Sequence, residues 1–294
     1  MHDKNIRERL INFTFYAPAL FFYTLVIIVT SLLAFYYSFT NWDGFSRELK
    51  LIGFQNYWEL FHDPYFYNAL RNTFLFAIVF TVAQNVIGLL LAAFYHKSNK
   101  INNIAKFLVF LPVILSPIVV GFIWNYIYSP IYGIVGLLAN YLPVKIGLGS
   151  LTNPKIAIWL VALAQIWQMV GFAMIIYAAG LKDIPEDIYE SAAIDGAGKI
   201  QAFWYLTLPL LAPATTILVV FDMITSLKVF DLIYIMTNGG PGYATETFSL
   251  MIFREAFKNN TMGYATTVGV ALFIIVLLVS LVQIGFLRKR EVQY

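Results

Sequence analysis

The sequence contains no cysteine and little charge. Without cysteine there can be no disulfide bond, no thiolate metal ligand and no cysteine nucleophile. The three histidines are scattered, so no metal centre is expected: they are His2, His62 and His96. Charged residues make up 12% of the chain, against about 25% in soluble domains. The net charge of +3 is too small to indicate a nucleic-acid partner.

Apolar residues, in contrast, are abundant. They account for 60% of the sequence, and the mean hydropathy is +0.73. This composition lies outside the range of soluble domains and predicts a membrane protein. The apolar run after Lys4, Arg7 and Arg9 continues to about Phe39, which is too long for the apolar core of a cleavable signal peptide. We expect it to be retained as a first membrane-spanning helix.

Six stretches are long enough to cross a bilayer as helices, which takes about 20 apolar residues. They comprise residues 13–39, 69–95, 106–128, 156–181, 206–236 and 264–287. The sequence therefore predicts an all-α, polytopic membrane protein that forms a single transmembrane domain over residues 1–294. Prolines interrupt the third stretch and charged residues the fifth, which is tolerated where neighbouring helices satisfy the freed backbone groups.

Lysine and arginine near the helix ends indicate the orientation. With the N-terminus in the cytoplasm, the inner segments carry more of these residues than the outer ones. The short loop at 96–100 is basic, and Arg288-Lys289-Arg290 follows the last stretch as an inner anchor. We expect both termini and residues 182–206 on the cytoplasmic side. Trp42 and Trp58 fall in the first outer loop, as interface anchors would.

The segment YESAAIDGAGKIQAFWYLTLPLLAP, residues 189–213, lies between two long apolar runs. Asp183 is expected to cap a short helix, which Gly196 and Gly198 end before a second helix begins. The pattern predicts a helix–turn–helix below the membrane, although a plain amphipathic linker in the headgroup layer fits it equally well. The tetrapeptide GAGK lacks the first glycine and the Ser/Thr of a phosphate loop, which excludes ATP binding of that kind.

This segment resembles the EAA loop of bacterial ATP-binding-cassette (ABC) importer permeases, whose pattern is roughly E-A-A-x-x-D-G-A and, after a spacer, L-P. The corresponding residues are Glu190, Ser191, Ala192, Asp195, Gly196, Ala197 and Leu208-Pro209. Only Ser191 departs from the pattern, and it replaces one small residue with another. Three further stretches resemble the carbohydrate branch of these permeases, the MalF and UgpA type. They are GFQNYWELFHDPYFYNALRNTF, LPVILSPIVVGFIWNYIYSP and FDLIYIMTNGGPGYATETFSLMIFREAF, so that the resemblance covers nearly the whole chain.

The resemblance implies a function and a set of partners. The chain would be the permease subunit of a type I ABC importer with a MetI-like fold, moving a sugar or oligosaccharide across the bacterial cytoplasmic membrane by alternating access. A second permease subunit, two copies of an ATPase subunit and an extracellular or periplasmic solute-binding protein would complete the assembly. ATP and magnesium would bind to the ATPase subunits, so this chain would be no enzyme and need no cofactor. Its EAA loop would be a coupling helix docked on the ATPase.

Polar residues inside the predicted spans are candidate substrate ligands, because placing them in a bilayer is costly. Directed hydrogen bonds combined with an aromatic ring are what a sugar requires. Two helical faces of the fourth and fifth spans offer that combination. The candidates are Gln168, Phe172, Asp222, Thr225 and Ser226, and the resemblance places the family's sugar pocket on the same two spans. The alternative is that these groups only hold helices together, at about 0.6 kcal/mol each.

Other polar residues are assigned lesser roles. Lys228 and Asp231 are three residues apart and are expected to pair on the fifth helix. Gln84, Asn85 and Asn125 are interpreted as helix-packing groups. The run Asn238, Gly239, Gly240 and Pro241 has the composition of an ordinary turn. The resemblance implies that this turn contacts the extracellular binding protein.

Three rival functions remain to be weighed. The permease of an ABC importer for an amino acid, a peptide or a polyol phosphate would also carry an EAA loop, but DPYFYNALRNT and TNGGPGYATET favour the carbohydrate type. An ion-coupled secondary transporter often has inverted repeats, and the sequence has no matching halves. A membrane enzyme is disfavoured, because HExxH, GxSxG and paired in-membrane carboxylates are missing from the sequence.

Overall fold

The computed structural model describes residues 2–96, 99–134 and 151–290, and within these ranges the side chains of residues 12–289. The described chain is helical, and its one β pairing is an isolated bridge between Thr40 and Leu51. The prediction of an all-α fold is confirmed. Lys97, in the predicted basic inner loop, lies outside the described residues.

Fourteen α-helices are described, and several are joined by short 3₁₀ or π-helical turns. In chain order they are α1 His2–Tyr23, α2 Thr30–Tyr37, α3 Gln55–His62, α4 Pro64–Phe94, α5 Lys100–Phe110, α6 Pro117–Tyr128, α7 Ala157–Asp183, α8 Glu186–Ile194, α9 Lys199–Ala202, α10 Leu208–Leu210, α11 Ala212–Leu227, α12 Asp231–Met236, α13 Phe248–Phe257 and α14 Met262–Leu287. They form two compact units, one from the described residues up to Asp63 with Ile252–Phe273, the other from Pro64–Met251 with the residues after Phe273.

The first unit is assembled around the end of α2 and the start of α14. A π-helical turn joins α1 to α2, and the stretch Asn12–Tyr37 has a mean hydropathy of 2.2 with none of it buried in the chain. The amide of Gly263 donates to the carbonyl of Trp42 at 2.8 Å. A Cβ at Gly263 would overlap the carbonyl oxygen of Thr40, so this close approach requires glycine.

In the second unit, α4 and α7 pack together and α11 packs against both. At Gly88 the two long helices approach so closely that a Cβ would lie 2.6 Å from the Cβ of Ala173 and 3.1 Å from the amide nitrogen of Met174. Large apolar side chains are buried around this contact, and this burial stabilises the helix bundle. They include Met174, Tyr177, Leu181, Leu211 and Leu218.

Two of the predicted spans are bent. Lys100–Ile114 meets Pro117–Tyr128 at 102°, and Lys199–Leu210 meets Ala212–Leu227 at 63°. Proline accounts for the first break, because Pro117 lacks an amide hydrogen and begins a new helix after extended Leu115. Four helices are long and apolar enough to cross a membrane unbroken, and the described residues provide six spans if each bent pair crosses once.

The fifth predicted span, 206–236, is not one helix. It comprises α10, α11 and α12, and α11 ends at Leu227 while α12 begins at Asp231. Lys228 and Asp231 are therefore not on one helical turn, and no ion pair joins them in the described structure. The prediction that they pair on the helix is wrong, because the helix is interrupted between them.

The close contact at Gly88 can be tested with an alanine. Gly88→Ala should lower the midpoint temperature of thermal unfolding of the detergent-solubilised protein, because overpacking of a tight core costs about 1–3 kcal/mol. Gly285→Ala is the matched control, since a Cβ at that exposed position of α14 meets nothing within 4 Å. The control should unfold at or above the wild-type temperature, because alanine favours helix by about 1 kcal/mol. Equal midpoints for the two variants would contradict the packing described here.

Candidate functional site

The predicted EAA-loop residues lie on α8 and in the turn that follows it. α8 begins after Pro185, and no side chain caps it. Asp183 is the last residue of α7, so the prediction that it caps the short helix is wrong. The reason is that α7 continues two residues past the predicted end of the fourth span, to Asp183 itself, leaving only Ile184 and Pro185 as the connection.

The turn after α8 is a Schellman motif. The amide of Ala197 donates to the carbonyl of Ala192 at 2.9 Å, and that of Gly196 to the carbonyl of Ala193 at 3.1 Å. Gly196 has φ +82°, a left-handed conformation that glycine adopts without steric cost. α9 then starts after Gly198, as the helix–turn–helix prediction requires.

One side of α8 is attached to the chain and the other is open. Ile184 is buried, and the hydroxyl of Tyr189 is 3.0 Å from that of Thr207. Glu190, Ser191, Asp195 and Gly196 are exposed, while Ala192 and Ala197 are half-buried. Large apolar side chains surround this tip and are strongly exposed: Ile194 87%, Ile200 77%, Trp204 59% and Tyr205 75%. Exposed apolar surface is typical of sites that contact another protein or the membrane, and docking of this tip on an ATPase stays a prediction.

Asp222 is fully buried, and amide groups of α4 bind its carboxylate. Gln84 Nε2 donates to Asp222 Oδ1 at 3.1 Å, and Asn85 Nδ2 donates to Oδ2 at 2.8 Å. The hydroxyl of Tyr177 donates to Asn85 Oδ1 at 2.8 Å. These four residues, which we name the Asp222 cluster, join α4, α7 and α11. Gln84 and Asn85 thus hold helices together, in accord with their interpretation as packing groups, and their partner is a candidate ligand.

Gln168 is also turned into the protein. It is 2% exposed, and its Nε2 donates to the carbonyl oxygen of Leu115 at 2.9 Å. Leu115 lies at the break before α6, where no helical donor reaches its carbonyl group. A backbone group left without a partner in a bilayer costs several kcal/mol, so Gln168 stabilises the bend.

Of the two remaining candidates, Thr225 lies on an exposed face of α11 and Phe172 lies on α7. Ile217, Phe221 and Thr225 recur every four residues and are exposed. The ring of Phe172, from α7, is 5.2 Å from that of Phe221. Phe221 was not among the residues predicted from the sequence, although it lies four residues before Thr225. That helical spacing was the signal that could have found it.

The structure therefore divides the five predicted substrate ligands into two sets. Thr225 is exposed and Phe172 is half-buried, whereas Gln168, Asp222 and Ser226 are buried with partners inside the chain. The Ser226 hydroxyl donates to the carbonyl oxygen of Asp222 at 2.6 Å. Sugar binding by any of the five stays a prediction, and the buried three would have to leave their partners to contribute.

The predicted binding-protein loop is a compact turn. Asn238 and Gly239 have positive φ, and the Gly240–Pro241 peptide is cis. The Thr245 hydroxyl donates to the carbonyl of Gly240 at 2.9 Å. Two asparagines of α4 fix the residues that follow: Asn68 donates to the carbonyl of Tyr243 and Asn72 to that of Glu246. The turn is thus held on a helix end, and its contact with another protein stays a prediction.

Residues 84–291 match the family described as "Binding-protein-dependent transport system inner membrane component". The chain is 36% identical over 289 residues to the probable ABC transporter permease protein YurN of Bacillus subtilis (strain 168), covering 96% of this chain and 97% of that protein. It is 33% identical to the probable starch degradation products transport system permease protein AmyD of Thermoanaerobacterium thermosulfurigenes, with 95% and 94% covered.

The fold agrees with this relationship. A crystal structure of a bacterial alginate ABC transporter, in complex with an alginate pentasaccharide-bound periplasmic protein, contains a chain that matches with a TM-score of 0.83. The two chains are 22% identical, and the match covers 97% of this chain and 96% of the other. The chain belongs to the family of inner membrane components of binding-protein-dependent transport systems. It is an ABC transporter permease with the MetI-like fold, and a multi-pass membrane protein.

Substitutions at Asp222 test the cluster. Asp222→Leu removes the acceptor of one buried N–H of Gln84 and one of Asn85, at about 1–3 kcal/mol each, while Asn85 keeps its bond to the carbonyl of Thr81. Asp222→Asn keeps one carbonyl acceptor and should cost less. We expect midpoint temperatures of unfolding in detergent to fall in the order wild type, Asn variant, Leu variant. Thr225→Val, on the exposed face of the same helix, should leave the midpoint within about a degree or two of wild type. A Leu variant as stable as the wild type would show that the cluster does not hold the helices.

Proposed function

We propose that the chain is the permease subunit through which an ABC importer moves a sugar or oligosaccharide into the cell. Two similar proteins point to carbohydrate: AmyD belongs to a transport system for starch degradation products, and the matched structure is that of an alginate transporter. The observation within this chain that carries the proposal is the accessible face of α11. There Phe221 and Thr225 are exposed one turn apart, and the half-buried ring of Phe172, from α7, is 5.2 Å from that of Phe221.

This face has the chemistry of a weak sugar site. An aromatic ring packs against the C–H face of a pyranose, and a hydroxyl side chain donates to and accepts from the sugar hydroxyls. Thr225 already donates to the carbonyl groups of Phe221 and Asp222, at 2.9 and 3.1 Å, so its oxygen remains able to accept. Transport requires such moderate affinity, because the solute must also leave.

The energy for transport comes, in this proposal, from a separate ATPase. The exposed tip of α8 is the docking surface, and ATP and magnesium are bound by two ATPase subunits, so this chain has no cofactor and catalyses no reaction. A second permease subunit and an extracellular binding protein complete the importer, and both termini of this chain lie in the cytoplasm. The exposure of Ile194 and Ile200 on the two helices of the loop supports docking.

The geometry offers a route from α8 to the sugar face. α8 leads through the Schellman turn and α9 to the 63° bend at Leu211, and α11 begins directly after it. Tyr189 and Thr207 join α8 to the π-helical turn before that bend. A push on α8 therefore changes the bend and moves α11, which carries both Asp222 and Thr225.

A transport assay tests the substrate class. The complex co-purified with this chain is reconstituted into liposomes containing ATP and offered radiolabelled maltose, maltopentaose, glycerol 3-phosphate and glutamine, each with the binding protein. We expect ATP-dependent accumulation of a carbohydrate. Accumulation of only glutamine or glycerol 3-phosphate would favour the alternative, a non-sugar ABC permease. Uptake that needs an ion gradient and no ATP would identify a secondary transporter.

Glu190→Lys tests the docking surface. Its reversed charge on the exposed side of α8 should leave membrane insertion unchanged but reduce co-purified ATPase and ATP-driven uptake by about tenfold or more, the effect of losing about 1.4 kcal/mol of binding. Asp187→Lys is the matched control, because Asp187 is an exposed acid of the same helix outside the EAA pattern. The control should retain both ATPase and uptake. Wild-type uptake by the Glu190 variant would exclude the proposed docking role.

A further inference from the structure

α3 is an eight-residue helix whose protein-facing side contacts the end of a membrane span. Asn56 and Leu60, one turn apart, are 5% and 0% exposed. Asn56 Nδ2 donates to the carbonyl groups of Ser38 and Thr40, at 2.9 and 2.8 Å. These two carbonyl groups belong to the residues directly after α2, whose apolar stretch ends at Tyr37.

Further hydrogen bonds join α3, and Asp63 directly after it, to the end of α2 and the start of α14. The hydroxyl of Tyr57 is 2.7 Å from that of Ser38. Asp63 Oδ2 accepts from the hydroxyl of Tyr264 at 2.9 Å, in the first turn of α14. The Thr267 hydroxyl, also on α14, donates to the carbonyl of Ser38 at 3.0 Å. α3 is therefore fixed where two apolar helices end, which is the level at which a bilayer meets water.

The opposite side of α3 is aromatic and largely exposed to the surroundings of the chain. Phe54, Trp58 and Phe61 follow one another at i, i+4 and i+7 and are 73%, 68% and 57% exposed. Beside them Gln55 and Glu59 are exposed and joined by a hydrogen bond of 3.0 Å. The circumference of the helix thus has three sectors: one faces the protein, one is aromatic and one is polar.

We propose that α3 is an interfacial helix that lies in the headgroup layer of the membrane. Phe54, Trp58 and Phe61 enter the boundary between headgroups and acyl chains, and Gln55 and Glu59 face water. The occupant of the aromatic face is lipid, because the ring of Phe54 is 5.2 Å from that of Phe39, directly after the span that ends with α2, and the apolar window of that span is itself not buried by the rest of the chain. Tryptophan and other aromatic side chains favour this layer, and helices with such a division lie in its plane.

The role of this helix follows from its attachments. Since α3 is bonded to the ends of α2 and α14, its depth in the headgroup layer fixes the depth of both spans. Aromatic anchors at the interface set the tilt and depth of membrane helices in this way. With both termini in the cytoplasm, the headgroup layer that α3 occupies is that of the outer leaflet. The proposed contact with lipid holds for either leaflet.

Spin labels distinguish lipid from water at this helix. The chain contains no cysteine, so Phe61→Cys and Glu59→Cys each introduce a single labelling site in it. The complex with the parent chain, treated with the same label, gives the background signal. Both variants are studied in the whole transporter complex, in liposomes of phosphatidylethanolamine and phosphatidylglycerol. We expect the label at 61 to be relaxed strongly by oxygen and weakly by a water-soluble nickel chelate, and the label at 59 to show the reverse.

Two results would overturn the proposal. If both labels are relaxed mainly by the nickel chelate, the aromatic face lies in water. If the label at 61 is exposed to water in the absence of the extracellular binding protein and becomes shielded when that protein is added, the face is a protein-docking site. Phe54→Cys repeats the test two turns earlier on the aromatic face, so that failure of a single variant to assemble does not decide the outcome. Transport activity is not the readout, so these results are independent of the substrate proposed above.

Discussion

A backbone carbonyl or amide group inside a bilayer must find its partner within the protein, and the bent spans of this chain depend on that constraint. At the break before α6, Gln168 from α7 donates to Leu115. At the break after α11, the Thr247 hydroxyl donates to the carbonyl of Val229 at 3.1 Å. Each break is thus bridged by one side chain from another part of the chain. The helices are interrupted at these two points without exposing these carbonyl groups to lipid.

The Asp222 cluster applies the same constraint to side chains. A buried carboxylate must be paired or hydrogen-bonded, and in this chain it accepts bonds from two amides of α4. The same cluster fixes the rotation of α11, so that Thr225 faces outward while Asp222 and Ser226 face inward. The residues that hold the bundle therefore determine which side chains of α11 are exposed on the proposed sugar face. A movement of α8 that changes the bend at Leu211 would therefore act on α11, whose rotation about its own axis is fixed by the Asp222 cluster.

The sequence predicts well those features that are local. Apolar length predicts the spans, and the glycine that ends α8 predicts the turn, because a left-handed residue after a helix favours glycine. The features that it missed depend on contacts between distant residues. Asp222 meets partners 137 and 138 residues earlier in the chain, and no periodicity reveals that pairing. Helical spacing correctly grouped Asp222 with Ser226 but could not show that Thr225, only one position away, is exposed. The interruption between Lys228 and Asp231 also carries no proline or glycine that would have revealed it.

The central claim is that the exposed face of α11 lines a water-filled path that opens alternately to the two sides of the membrane. Thiol labelling of Thr225→Cys tests it directly, because the parent chain has no cysteine. The complete transporter is reconstituted into liposomes and treated with a membrane-impermeant maleimide from one side at a time, with and without ATP and vanadate. The account predicts that the position is labelled from one side only, and that nucleotide changes which side. A residue that no aqueous reagent reaches in either state, or that is labelled identically in both, would contradict it.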